Sequence, residues 1–276
     1  MSSKRFSPGR LLVYALLAGG SLLMLGPFIW MILASFKTTA ELNAFPPTFW
    51  PKEWSLSGYR KVLGEENNFL IYFYNSVWIG IVKTALVVYT SSIIGYVLGK
   101  INFAGNKIVF GLILATMMIP WPVTIISLYQ EMMWFGWLNS YTSIILPFIT
   151  NSFGIFLMKQ FVDTVPSEVI EACRIDGASE FRIFHKIILP LMGPSISALS
   201  IFIFIGAWDD FLWPFLMLTD FSKYTLPIGL ALFQGQYWTD LSSVLVGATI
   251  ASLPVIVFYI LFQKRIVEGI TMTGLK

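Results

Sequence analysis

Apolar positions along the chain fall in long blocks, with neither the strict alternation of a half-buried strand nor the single stripe of a surface helix. Uncharged runs cover 11–36, 67–99 apart from Lys83, 108–130, 132–158, 187–208 and 241–263. A helix rising 1.5 Å per residue needs about 20 apolar residues to cross roughly 30 Å of hydrocarbon. Every run reaches that length. The pattern predicts an all-α polytopic membrane protein with six transmembrane helices, at approximately 11–36, 70–99, 108–130, 141–160, 190–217 and 241–263. The first run follows Lys4, Arg5 and Arg10 as a signal peptide would, but it is far longer than the usual apolar core of about 7–15 residues, so an uncleaved anchor is expected.

Composition sharpens this picture. Of 276 residues 56% are hydrophobic and 12% charged, about half the charge of a soluble domain, which leaves too little polar surface to cover a globule in water. The net charge of +3 is small and dispersed, so no nucleic-acid partner is expected. One cysteine, Cys173, and one histidine, His185, give neither an internal disulfide nor a Cys/His metal set.

Lys and Arg in short loops stay on the cytoplasmic side. With six crossings, Lys4, Arg5, Arg10, Lys100, Lys107, Lys159, Arg174, Arg182, Lys186, Lys264, Arg265 and Lys276 share the side of the N-terminus, against Lys37, Lys52, Arg60, Lys61 and Lys223 opposite. Both termini are therefore expected in the cytoplasm. The external loop 37–66 is rich in Pro and Trp, and 102–106 is a tight internal turn. No repeat, linker or low-complexity tract divides the chain, so residues 1–276 are expected to form one transmembrane domain.

Loop 163–186 mixes five acids with three bases on the cytoplasmic side. Pro166 and Ser167 predict a helix start, with Ser167 as the cap and Glu168 and Glu171 near the positive end of the dipole. A short helix over 168–176 should stop at Gly177, which accepts a left-handed backbone. Ser179 should cap a second helix that runs through His185 to Pro190 and into the fifth span.

These residues carry a resemblance. Glu171-Ala172-Cys173, three residues, Gly177, nine residues, then Ile187-Ile188-Leu189-Pro190 resembles the EAA signature of permease subunits in binding-protein-dependent ABC importers. Ile175 to Glu180, Ala207-Trp208-Asp209-Asp210-Phe211, Phe233-Gln234-Gly235 and the stretch 263–269 are similar to the MalG-like branch, which imports oligosaccharides and glycerol phosphates. Cys173 stands for the usual second alanine, Asp209 where Asn is commoner, and the tail ends Thr273-Gly274-Leu275-Lys276. The resemblance implies a permease without catalytic residues of its own, in a bacterial or archaeal cytoplasmic membrane. Its implied partners are a second permease subunit, two ATPase subunits, an extracytoplasmic solute-binding protein, a sugar substrate and membrane lipid. No cofactor is implied in this chain; ATP and Mg belong to the partner ATPase. Loop 163–186 would be the coupling loop. In it Ala172 and Cys173 allow close approach of the ATPase, Glu171 and Asp176 accept from its basic residues, and Gly177 sets the angle to the span that is moved.

Other signals are weaker. Gly95, Gly99 and Lys100 approach a Walker A loop, but the spacing is one residue short and Ile101 replaces Ser or Thr, so a small-xxx-small helix contact is expected. Lys83 has two readings, a residue of a polar pathway or a lysine that snorkels to an interface. Asp209 and Asp210 beside Trp208, Phe211 and Trp213 suit sugar hydroxyls and pyranose faces, and equally an interfacial aromatic belt. Neighbouring helical positions point about 100° apart, so the two acids cannot flank one glycosidic bond. Pro120, Pro122, Pro147, Pro194 and Pro254 are expected to kink or start helices. Two rival classes stand beside the resemblance. An ion-coupled secondary transporter would need intramembrane carboxylates or an inverted repeat, and a membrane enzyme would need clustered His, Asp or Glu at one face.

Overall fold

The computed structural model describes residues 8–64, 67–234 and 240–273, with 262–273 as backbone alone. Gly235 and the terminal cations at 4, 5 and 276 lie outside the described residues, as do the side chains of Arg10 and of 263–269, Lys264 and Arg265 among them. Helix α1 (Pro8–Ala34) precedes the short α2 (Thr39–Leu42) and α3 (Ser57–Val62); α4 (Phe69–Lys100), α5 (Asn106–Thr116), α6 (Trp121–Trp134), α7 (Thr142–Ile145) and α8 (Ser152–Thr164) follow. Then come α9 (Ser167–Ile175), α10 (Glu180–Ile183), α11 (Leu189–Leu191), α12 (Gly193–Trp208), α13 (Leu212–Met217), α14 (Leu226–Leu232) and α15 (Leu241–Thr273). The protein is thus all-α, with several helices long and apolar enough to span a membrane.

Among the described residues three helices meet that test unbroken: Leu11–Ala34, Phe69–Lys100 and Leu241–Leu261. The other expected spans are not single rods. Asn106–Thr116 and Trp121–Trp134 meet at 99°, Thr142–Phe148 and Ser152–Thr164 at 41°, and Glu180–Leu191 and Gly193–Trp208 at 78°. Proline lies beside each break. Pro120 is the N-cap of α6 with Pro122 just inside it, Pro147 sits in the turn after α7, and Pro194 opens α12. Because proline lacks an N–H and clashes with the turn before it, a helix starts afresh at Pro120 and Pro194, whereas α8 restarts behind Asn151, whose side chain accepts from the Gly154 N–H.

The chain divides into two compact units, one of Met1–Phe69 with Leu230–Leu253, the other of Leu70–Gly229 with Pro254–Lys276. In the first, none of the best apolar window of α1 is buried. The loop after α1 is held by a buried lysine: Lys37 donates to the carbonyl and Oγ1 of Thr48, and Thr48 Oγ1 donates to Glu41 at 2.7 Å. Asp240 caps α15, accepting from the Ser243 N–H at 3.3 Å, and pairs with Lys61 at 2.6 Å.

The second unit packs two apolar clusters along α4. One joins Val88 and Tyr96 to Met158, Val162, Ile170, Ile183, Phe184, Ile188 and Leu199. The other joins Ile79 to Met132, Ile144, Trp213, Met217 and Ile228. In lipid, helices associate through close van der Waals packing, which favours small residues. The expected small-xxx-small contact is present: a Cβ on Gly95 would stand 2.8 Å from Met158 Cβ and from the Lys159 backbone. The ridge continues both ways, with Gly99 against Val162 and Ser91 against Gly154.

Candidate functional site

Loop 163–186 folds into a helix, a turn and a helix. α8 ends at Thr164, and the carbonyl of Val165, the residue after it, accepts from Lys100 Nζ at 2.6 Å. Pro166, not Ser167, occupies the N-cap of α9; the Ser167 hydroxyl makes no cap, because that residue is already helical. Proline fixes φ near the value a helix entry requires, and Pro166 stands at φ −58°. Ile170 points into the apolar cluster with Tyr96, Val162 and Phe184, and Cys173 is half-buried against it. Glu168, Glu171, Ala172 and Ile175, at helical spacing, form the exposed opposite stripe, and Ile175 is 87% exposed.

The stop at Gly177 has the geometry expected of it. Its φ is +78°, Gly177 N–H donates to the Arg174 carbonyl and Ala178 N–H to the Cys173 carbonyl, both at 3.0 Å. These are the paired bonds of a Schellman ending, which use carbonyls the helix leaves free. Asp176 caps the helix end and is exposed beside Gly177.

Ser179 caps α10, accepting from Arg182 N–H at 3.4 Å. Glu180 then draws three elements together: Arg174 Nε donates to Oε1 at 2.6 Å and Tyr96 Oη to Oε2 at 2.5 Å. The hydrogen bond to Glu180 raises the Arg174 pKa above its ordinary value. His185 sits with Nδ1 2.9 Å from the Phe181 carbonyl and Nε2 3.1 Å from Tyr89 Oη. The second helix does pass through His185 to Pro190, with a π-helical turn at Phe184–Ile188, but it reaches α12 only after the 78° bend. Tyr96 and Tyr89 were not among the residues singled out from sequence, and Lys100 was noticed only as an inner-side cation and in the rejected Walker A comparison. A buried tyrosine one turn from the end of a span needs a partner for its hydroxyl, and that was the available signal.

Higher along α4, Lys83 Nζ lies 4.0 Å from Asp210 Oδ2 and 4.4 Å from the Phe148 ring centre. Asp210 Oδ1 accepts from Trp213 N–H at 3.4 Å. Asp209 caps the end of α12 and is exposed, while Trp208 is buried against Phe204 and Phe73. Two of the four residues expected on a pathway, Lys83 and Asp210, are therefore brought together. Among the described residues no group of three His, Cys, Asp or Glu is placed to hold a metal.

Residues 91–271 match the family described as binding-protein-dependent transport system inner membrane component. The chain is 36% identical over 252 residues to the arabinooligosaccharides transport system permease protein AraQ of Halalkalibacterium halodurans, covering 91% of this chain and 90% of that one. It is 32% identical over 272 residues to the trehalose/maltose transport system permease protein MalG of Thermococcus litoralis, covering 95% and 96%. In fold it resembles a chain from the crystal structure of a bacterial ABC transporter involved in the import of the acidic polysaccharide alginate, with a TM-score of 0.83, 22% identity and coverage of 95% and 99%.

Proposed function

The chain belongs to the binding-protein-dependent transport system inner membrane components, and from that premise we propose that it is the MalG-like permease subunit of an ATP-driven importer that moves a sugar or oligosaccharide across the cytoplasmic membrane. The observation that carries this reading is the helix–Schellman turn–helix of 167–183, which presents Glu171, Ala172 and Asp176 on an exposed face with Gly177 at its corner. Such an element is rigid, anchored by Ile170, and free on the side where an ATPase would dock. Cys173 lies at the edge of that face, where its small side chain lets a partner helix approach.

In this reading each bent pair is one span, giving six crossings with both termini in the cytoplasm, and the whole chain is one transmembrane domain. Relatives that match it nearly end to end support that extent. A second permease subunit completes the pathway, two ATPases carry ATP and Mg, and an extracytoplasmic binding protein delivers the solute. Closure of the ATPases pulls the docking helix and alternates access. Lys83, Asp209 and Asp210 offer charge and hydrogen bonds along the route, with Trp208 forming the wall behind them. Carbohydrate as the solute class rests on the relatives' transport of arabinooligosaccharides and of trehalose or maltose.

The test is uptake by proteoliposomes holding this chain with its second permease and ATPases. Neutral arabino-, malto- and chito-oligosaccharides should accumulate only with internal ATP and external binding protein. Uptake driven by a proton or sodium gradient without ATP would establish the secondary-transporter alternative instead.

A further inference from the structure

Within the second unit α4 differs from the segments packed around it. It runs for 32 residues from Phe69 to Lys100 without proline, whereas the segments 106–134, 142–164 and 180–208 are bent by 99°, 41° and 78°. A helix with a break absorbs displacement at the break; an unbroken one moves as a rod. The rod is fastened at its cytoplasmic end. Tyr96 and Arg174 grip the two oxygens of Glu180 at 2.5 and 2.6 Å, Lys100 holds the Val165 carbonyl at 2.6 Å, and Ile170 shares a packed cluster with Tyr96. Hydrogen bonds to an ionised carboxylate are the short, strong class. Lys83 stands 13 residues before Tyr96 on the same rod, about 20 Å along the axis at 1.5 Å per residue.

We propose that Glu180, gripped by Tyr96 and Arg174, is the joint through which motion of the docking helix enters α4, and that α4 carries that motion to the Lys83–Asp210 pair. This rests on the docking reading above and adds a second route to the chain connection through α10–α12. That connection alone would have to work across the 78° bend. Tyr96, Arg174 and Glu180 are positioning residues, acting without touching nucleotide or solute. The joint lies beside the left-handed turn at Gly177, so a tilt of α9 about that turn acts directly on Arg174 and hence on Glu180.

Tyr96→Phe removes one hydroxyl and keeps the ring, which packs on Phe184 with centroids 5.7 Å apart. The Glu180 side chain is 44% exposed, so its carboxylate regains water and the fold should hold. Glu180→Gln opens the joint from the other side and carries the test if the first variant lowers yield. The full complex is followed by hydrogen–deuterium exchange with and without Mg-ATP and vanadate, which needs no solute. In the wild type, nucleotide trapping should change exchange in both 167–177 and 97–103. In either variant the change at 167–177 should persist and that at 97–103 should fall on the order of tenfold, in the range of allosteric coupling between sites. The double variant should be no worse than either single, since both remove one joint. An undiminished response at 97–103 in both variants overturns the joint. A wild-type complex in which 167–177 does not respond to trapping overturns the docking reading itself.

Discussion

Lys83 Nζ and Asp210 Oδ2 stand 4.0 Å apart, tying α4 to the short link between α12 and α13. Neither group is fully enclosed by this chain, with side chains 12% and 25% exposed. A charge at membrane depth faces protein or a wet cavity and finds a partner. Together the two are neutral. Phe148 adds its ring face 4.4 Å from the Lys83 Nζ, a cation–π arrangement.

Removing one charge from this pair should harm more than removing both. Lys83→Met or Asp210→Asn alone leaves its partner uncompensated, whereas the double variant restores neutrality. Thermal stability of the purified complex, measured through the full cycle, should give a coupling of about 0.5–3 kcal/mol. Strictly additive losses would mean that the pair makes no functional contact. Uptake in the double variant then asks whether the charges also serve the solute.

Close approach of α4 and α8 sets a second expectation. A Cβ on Gly95 would lie 2.8 Å from backbone and Cβ atoms of α8, neither of which can swing aside. Gly95→Val should therefore overpack the contact and cost about 1–3 kcal/mol. Gly111→Val meets nothing within 4 Å at Cβ and serves as the helix-matched control. Equal melting temperatures in detergent for the two variants would refute the ridge.

The extent of α4 was legible in the sequence almost to the residue, since 70–99 was expected and Phe69–Lys100 is found. Hydropathy reports how apolar a segment is and nothing about the path of its backbone. That is why the 99° bend at Met117–Pro120 was invisible in the block 108–130, although Pro120 and Pro122 marked the place. The helix at 167–175 was legible because its signals are local: Pro166 before it and Gly177 after it act on their own backbone. Ser167 misled because two residue types suited to a helix start stood side by side, and the proline took the cap. Tyr96 was silent. Its partner Glu180 is 84 residues away, and nothing in an apolar run says which polar atom a hydroxyl will meet. The same holds for Lys83 and Asp210, each noticed alone and joined only by the fold.

Orientation can be tested against two cross-links the fold supplies. Asn139 accepts from the Thr219 and Asp220 N–H groups through Oδ1 and from Lys223 Nζ through its carbonyl, so residues 139 and 219–223 share one side. Lys100 holds Val165, so residues 100 and 165 share one side too. Alkaline phosphatase fused after residue 139 or 222 should be active, and fused after residue 105 or 177 inactive. The reverse pattern would turn the docking helix away from any cytoplasmic ATPase.

Acid should release the cap of α15. Burial pushes the Asp240 carboxyl up, but hydrogen bonds from Lys61 and Ser243 outweigh it and hold the pKa below its ordinary value. A carboxylate lowered on folding stabilises the protein fully above its unfolded pKa, about 3.9, and loses that contribution as pH falls through the folded value. Asp240→Asn should therefore melt below the wild type at neutral pH, and the gap should close at strongly acid pH. A gap independent of pH would assign the effect to something other than the carboxylate charge.

Gly177 gives the sharpest test of the docking reading, because space and backbone angle separate cleanly there. A Cβ added at this position meets nothing within 4 Å, so no clash accompanies substitution. What remains is φ +78°, a region that β-branched residues avoid at a cost of about 1–3 kcal/mol and that asparagine tolerates. Gly177→Val should rotate 167–175 away from its docking angle while leaving every apolar span intact. Membrane levels should stay near those of the wild type, and ATP-driven oligosaccharide uptake should collapse. The ATPase should either leave the complex on purification or hydrolyse ATP without response to the loaded binding protein. Gly177→Asn, of similar bulk but at ease with a left-handed backbone, should retain most of the uptake. Equal loss in both would show that side-chain volume against the ATPase matters there and not the angle, while full coupling in Gly177→Val would remove the rigid turn from the mechanism.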